Sequence, residues 1–561
     1  MKKLLLLTAL WCIGIACVFA DETYSYTDPQ GVTWSCSAVY DAEGAAIAGQ
    51  AEITAASGYG TEVEVPGTVY DSEGTAFTVV KLSGVFTDNT ELQKVTLPTS
   101  VTVLDGTFNR CSALTTVENT SQIAEIGSFS FQRTAITSID LSACTIVAYQ
   151  AFAGCTALES INLPACTSIG NNVFSGCTSL TSADLPLCAT MGSEMFAGCT
   201  ALTTVNMPAC TSLGSDAFKN CTALASLDLS SVESLGFGTF RGYTNLTSIK
   251  LSSCKTVEYE AFAGCTGLTS IDLPACTTME FRVFDGCTNL TSINLPLCAT
   301  VGNDTFSGCN SLTSIDLPSC QSIADYAFYR CTGLASVKLS DNCTVIGQMV
   351  FYDCGNLTSV SGLGSVKKIG YGTFGSCSSL RSVDLADCTE IGETAFSGCS
   401  KLTTVGSLAK VTSIGSEAFR WCRSLTSVDL SSCTSLGDYA FHGCANLAGV
   451  VGLQSLTQIP DYAFANCPAL TSESFDLSAT TTIGQYAFCE CTSLTSLNIT
   501  AKCTRIDANA FSCCSSLTTA GDLSGVTKIG DAAFQYCSNL KSIGSLSNVI
   551  SIESYAFCDC I

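Results

Sequence analysis

The chain of 561 residues carries 48 Asp and Glu against 24 Lys and Arg, a formal net charge of −24, yet only 13% of its residues are charged while 47% are apolar. So acidic a surface argues against nucleic acid and anionic membrane as partners, and so large an apolar fraction recurring with period excludes disorder. The uncharged remainder implies a surface rich in Ser, Thr, Asn and Gly.

The first twenty residues, MKKLLLLTALWCIGIACVFA, hold two lysines, an apolar run and Val18-Phe19-Ala20 before Asp21. This reads as a secretory signal over 1–20, cut after a small residue, so the mature chain is expected to be secreted or at the cell surface. A second reading makes Cys17, preceded by Ile15-Ala16, a lipid-anchored N-terminus, although Gly14 stands where such a motif usually has Leu. No other apolar run is long enough for a transmembrane helix.

Residues 21–80 hold TWSCSAVY, AEITAAS, TEVEVPGTVY and TAFTVVKL, short β-rich runs parted by Gly, Asp and Pro, and are expected to form an N-terminal cap. From 81 to 561 a single unit recurs, typified by CTALESINLPACTSIGNNVFSG from Cys155 to Gly176. The Phe of its F-x-x-C corner marks 22 copies, from Phe86, Phe108 and Phe131 to Phe534 and Phe557, spaced 21 to 24 residues. A period this short means one coil of a solenoid per copy, because a single unit cannot bury its own apolar face. The fold class expected is mainly β, with stacked short parallel strands and short 3₁₀ or α turns.

Within the unit, Leu158-Glu159-Ser160-Ile161-Asn162-Leu163 places apolar residues at positions one, four and six, so its last four residues alternate as a strand with Ile and Leu inward. Pro164 closes the strand and Cys166 turns the corner. Gly170 follows Ile169, and Gly recurs there at Gly127, Gly192, Gly214, Gly302, Gly347, Gly370, Gly392, Gly415, Gly437, Gly484 and Gly530, which suggests a positive φ. N-N-V-F-S-G-C then reads as a 3₁₀ or single α turn driving Phe174 into the core. Beyond about residue 350 the period lengthens to 23 or 24, with the added residue expected in the loop after the strand. Phe557-Cys558-Asp559-Cys560-Ile561 falls within a unit, and an uncovered coil there would invite self-association.

The first half of the unit, as in Leu290, Ile293, Leu295 and Cys298, resembles the leucine-rich repeat pattern. Joined to I-G-x-x-A-F-x-G-C, as in Leu312 to Cys331, the whole resembles the BspA-type leucine-rich repeat family of secreted and surface proteins. The resemblance covers residues 81–561. It implies a right-handed solenoid of about 22 coils and, for some members, adhesion to host extracellular proteins or other cells. It carries over no catalytic residue.

Of the 37 cysteines, nineteen follow the marker Phe by three and twelve occupy the corner after the strand, where other copies carry Val101, Ile123, Val232, Val366 or Leu456. A site that accepts Val or Cys treats Cys as a small hydrophobe. Neighbours in a column stand about 4.8 Å apart with parallel Cα–Cβ vectors, whereas a disulfide wants Cβ atoms near ~3.8 Å and facing. Free buried thiols are therefore expected, with some disulfides or metal as the alternative and the off-column Cys489, Cys513 and Cys558 as the exceptions. C-E-C and C-D-C alone do not make a zinc site. His442, the only histidine, falls in a variable slot expected to be exposed, and no phosphate loop or H-E-x-x-H occurs. Neither a catalytic site nor a metal or cofactor is expected. N-x-[ST] sequons such as Asn245, Asn289 and Asn356 come from the repeat's own wording.

Two columns face outward on the strand. One is Ser or Thr from Ser138 to Ser336; the other reads Asp140, Asn162, Asp184, Asn206, Asp228, Lys250, Asp272, Asn294, Asp316, Lys338. Alternation relieves the repulsion of like charges opposed in a ladder, and the same regular polar face suits an extended partner. The function expected is adhesion or protein–protein interaction, with host extracellular matrix or other cell surfaces as partners. The alternatives are a self-assembling surface component and a glycan-binding module, the latter weakened by the presence of only three Trp.

Overall fold

The computed structural model describes residues 23–474 and 476–560; the signal reading of 1–20 and the anchor reading of Cys17 lie outside them. The chain divides into two compact units between Cys254 and Lys255. Both are built from coils of two short strands and a hydrogen-bonded turn.

In the first unit, Tyr24–Thr27, Thr33–Tyr40 and Ala46–Ser57 pair antiparallel. Ala46–Ser57 then pairs parallel with Ala76–Ser83, and that strand pairs parallel with Val103–Asp105. The non-repetitive sheet thus continues directly into a ladder of second strands, Glu125–Ile126, Ile146–Val147 and Ser168–Ile169. Trp34 is fully buried and donates its indole N–H to Asp28 at 2.9 Å. First strands run in register as Ser160–Asn162, Ser182–Asp184 and Thr204–Asn206. Alternation buries Ile161 and Ala183 and turns Ser160 and Asn162 outward, so period two in the sequence becomes two faces of a sheet.

The second unit repeats the plan. Ser270–Asp272 pairs Ser292–Asn294, and Ser314–Leu317 pairs Ser336–Leu339; the second strands include Thr278–Met279, Thr300–Val301 and Ser322–Ile323. Where the period lengthens, the loop between Ser336–Leu339 and Val345–Ile346 is one residue longer than that between Ser314–Leu317 and Ser322–Ile323. The added residue lies after the strand. In each unit the marker Phe rings, all buried except the half-buried Phe557, stack along the core, with centroids from 5.1 to 5.6 Å apart in both.

Two local expectations are corrected. The N-N-V-F-S-G-C corner is neither 3₁₀ nor α: Asn172 and Gly176, two residues either side of Phe174, take φ 57° and 75°. A left-handed residue on each side breaks any helix into successive turns, closed by Ser175 N–H to Asn172 C=O at 3.2 Å and Cys177 N–H to Phe174 C=O at 3.1 Å. Alternate N–H groups are thereby freed for the next coil, as Phe174 N–H to Met195 C=O at 2.9 Å. Among the described residues, 3₁₀ geometry occurs instead at Leu453–Ser455 and Ser472–Ser474.

The second correction concerns the Gly column from Gly127 to Gly530, none of which has positive φ. The constraint is contact between coils: a Cβ on Gly192 would lie 2.3 Å from the Gly170 carbonyl oxygen, and one on Gly437 would lie 2.3 Å from Ser416 N. Glycine serves close backbone approach here.

Candidate functional site: the polar strand column

The polar column emerges as a chain of matched pairs. In the first unit Asn206 donates to Asp184 Oδ1 at 2.7 Å, and Lys250 Nζ meets Asp228 Oδ2 at 2.9 Å. In the second, Asn294 donates to Asp272 Oδ1 at 2.8 Å and Lys338 Nζ meets Asp316 Oδ2 at 3.0 Å. Each pair is a directly opposed residue pair of neighbouring parallel strands. The in-register period therefore sets each of these four Asp against a donor one coil later, which removes the like-charge penalty of a carboxylate ladder. The Ser230 hydroxyl, and secondarily Lys250, hold the Asp228 carboxyl below its usual range.

The column is not continuous. Asn162, Asp184 and Asn206 share one sheet, but that sheet ends before Asp228. Asp140 sits in a stretch without strand pairing and accepts the Ser142 N–H at 3.0 Å. In the first unit a shallow groove of about 430 Å³ runs over three coils of this face, lined by Thr204, Ser226, Asp228, Ser248 and Lys250, with Leu227 and Ile249 at its floor.

The described cysteines are free thiols, and all are buried except Cys489, Cys513, Cys558 and Cys560, which are half-buried. Burial pushes the Cys111 and Cys144 thiols up to about 12 and Cys210 up to about 11. The two columns differ in a way the small-hydrophobe reading missed. Thiols three after the Phe donate to the Phe carbonyl of the preceding coil: Cys177 to Phe152 at 3.2 Å, Cys309 to Phe284 at 3.2 Å, Cys331 to Phe306 at 2.9 Å. Corner thiols mostly turn to a carbonyl two residues on, as Cys298 to Thr300 at 3.2 Å. The exceptions in the first column carry the signal. The Tyr243 hydroxyl bonds the preceding coil's Phe218 carbonyl, while Thr134 keeps a donor but turns it to the Phe131 carbonyl of its own coil at 3.0 Å. That column requires a donor; the corner requires only volume.

His442 is corrected as well. It is half-buried, edge-on to Trp421 at 4.8 Å and beside Tyr439 and Tyr462 at 5.7 and 6.4 Å. Burial, then the Arg420 charge, lowers its pKa. Among the described residues no group of three or more His, Cys, Asp or Glu is placed to hold a metal ion, and no helix is long and apolar enough to cross a membrane.

The model of the BspA-type leucine-rich repeat region matches residues 82–203, 167–290, 255–381, 367–480 and 457–561, so together it spans the whole repeat array. The chain belongs to this family. Among solved structures it is similar to a leucine-rich repeat protein of Bacteroides ovatus, with 20% identity over 82% of this chain and 92% of that one, at a TM-score of 0.37. It is similar also to a leucine-rich cell surface protein of Faecalibacterium prausnitzii, with 21% identity over 80% and 94%, at a TM-score of 0.30. A third is the pneumococcal vaccine antigen PcpA, with 16% identity over 85% and 93%, at a TM-score of 0.25. Among curated proteins none matches the chain. Leucine-rich repeat proteins generally serve protein–protein interaction.

Proposed function

We propose that this protein is a non-enzymatic, exported or surface-held adhesion scaffold that binds protein partners, such as matrix proteins or other cell surfaces, along its first-strand face. The observation that carries this reading is the in-register repetition of that face, which offers a similar polar contact at every paired coil. Asp184 and Asp272 are each hydrogen-bonded to an Asn and stay anionic, while Asp228 and Asp316 are each neutralised by a Lys, so the face presents pre-bonded polar pairs. Partners would be recognised by many hydrogen bonds made to these pairs. Each contact is weak, and affinity grows with the number of coils a long or multivalent partner engages.

The chain from residue 21 onward, applied to an array of matrix proteins and glycans with its oligomeric state measured in parallel, tests this reading. Capture of protein supports it. Capture of glycans alone transfers the function to a glycan-binding module, and self-association without capture transfers it to a structural surface component.

A further inference from the structure

In the second unit, outside the strand faces, aromatic and arginine side chains gather on the turn around the marker Phe. Tyr439, Tyr462 and Tyr486 each stand two residues before a buried Phe. Their rings stack at 4.4 and 4.6 Å, within 7° and 11° of parallel. At one end lies Trp421, half-buried, whose ring rests so closely on Gly443 that a Cβ there would come within 2.3 Å of it. The Arg423 guanidinium lies 5.4 Å from the Trp421 ring centre, and Arg420 lies 5.9 Å from Trp421 and 5.5 Å from Tyr439. Arg420 is held by Glu417 at 2.8 Å. Arg423 is exposed and, among the described residues, has no carboxylate within ion-pair distance.

Smaller aromatic and arginine pairs occur at Phe281–Arg282 and Tyr329–Arg330, but here a tryptophan, three stacked tyrosines and two arginines meet. Trp, Tyr and Arg are the residues that dominate binding energy at protein interfaces. The arrangement also selects a ligand. Both faces of Tyr462 are occupied by its neighbours, and the Trp421 ring is taken by Gly443 and the guanidiniums, so few ring faces are left for a sugar to stack on. What the ladder shows to solvent is ring edges and hydroxyls. Ring edges carry the positive part of the aromatic quadrupole and favour electron-rich groups, and a guanidinium without a carboxylate favours a bidentate anion.

We propose that the Trp421–Tyr486 cluster is a binding site for an acidic, aromatic-bearing peptide segment of a protein partner, with a carboxylate on Arg423 and an aromatic face or carbonyl against the tyrosine edges. It rests on the reading of the chain as a protein-interaction scaffold, but on a surface separate from the strand column. Tryptophan fluorescence reports on it directly: from residue 21 onward the only tryptophans are Trp34, fully buried, and Trp421.

The probe is a synthetic decapeptide of alternating Glu and Tyr, titrated into the chain from residue 21 onward while selectively excited tryptophan emission is followed. The expected result is a saturable change that Trp421→Phe abolishes and that Arg423→Gln weakens by roughly tenfold or more. The exposed Arg423→Gln change is expected to leave the melting curve intact, so a failure to fold does not obscure the result. The alternating Gln and Tyr peptide should bind roughly tenfold more weakly. No saturable change, equal binding of the Gln peptide, an unaffected Arg423→Gln, or equal binding of an oligogalacturonate would each overturn the proposal. Lys250→Ala with Lys338→Ala should leave peptide binding unchanged, so failure here is separable from failure of the strand face on the array.

Discussion

Cys309 and Cys298 are both fully buried, both free thiols, and eleven residues apart in one coil stack. If cysteine in this protein were only a small hydrophobe, replacing either by Val would have the same effect. The structure separates them. Cys298 occupies the corner that other coils fill with Val232 or Val366, so Cys298→Val should cost below about 1.5 kcal/mol, as volume-conserving core changes do. Cys309 donates to the Phe284 carbonyl at 3.2 Å, from a slot where cysteine is replaced only by residues that keep a donor, Asn89, Thr134 and Tyr243. Val there adds a branch against the Phe stack, about 1–3 kcal/mol, and removes the thiol bond. That second loss is less than the ~1 kcal/mol of an ordinary hydrogen bond, because the Phe284 carbonyl keeps the Cys287 N–H at 3.0 Å. A net cost of about 1–4 kcal/mol, centred on ~2.5, follows. Global unfolding of a long repeat array is not two-state, so amide exchange of the Cys309 coil is the assay. Protection there should fall by roughly 30-fold or more in Cys309→Val and hardly at all in Cys298→Val. Equal loss in both variants would refute the distinction between the columns.

Alkaline pH probes the same thiols together. Burial raises the folded-state pKa of Cys111, Cys144 and Cys331 to about 12 from the ordinary thiol value of 9.0. Their contribution is therefore fully present below about 9 and is lost as pH rises toward 12. Denaturant midpoints should be flat to about pH 9 and then fall; a midpoint that holds to pH 12 contradicts buried thiols. An alkylating reagent should label few thiols in the native chain and nearly all in denaturant without reductant, because the reactive species is the thiolate. If few titrate even after unfolding, the cysteines are paired. Asp387, bridged by Lys367 at 2.8 Å and Lys410 at 2.6 Å, has its carboxyl drawn down to about 2 by those two hydrogen bonds. Lys367→Ala with Lys410→Ala should return it toward the ordinary carboxylate range in a carbon-detected NMR titration, and an unchanged titration would show the bridge is not formed in solution.

Much of this architecture is legible in the sequence because each coil repeats the same physical problem. Ser160-Ile161-Asn162 alternates and is a strand; Phe174 recurs without exception and is the stacked core. The Gly170 column was visible but its cause was not, since a glycine needed for left-handed backbone and one needed for close approach look alike in one dimension. The left-handed positions flank the Phe instead, where Asn172, Glu194 and Asp216 differ enough in type to hide the shared φ. The donor requirement at Cys309 was recoverable from its exceptions, Asn89, Thr134 and Tyr243, which all retain a donor. The aromatic cluster was not, because Tyr439, Tyr462 and Tyr486 fill a column of mixed residue types, among them Asn172, Glu194, Arg282 and Met349, and only stacking in space brings them to Trp421 and His442.

The strand face was read from its alternating Asp, Asn and Lys, and pairing across strands gives that alternation a structural purpose whether or not a partner binds. The decisive measurement is capture on immobilised matrix proteins of the wild-type chain beside one carrying Lys250→Ala, Lys338→Ala, Asp272→Lys and Asp316→Lys, with circular dichroism to show that both are folded. These exposed positions should shift stability by less than ~1 kcal/mol. An interaction scaffold working through this face predicts that the wild type is captured and that the variant binds at least about tenfold more weakly, since contacts in every altered coil are lost together. Equal capture of both folded chains, or capture of neither, contradicts it.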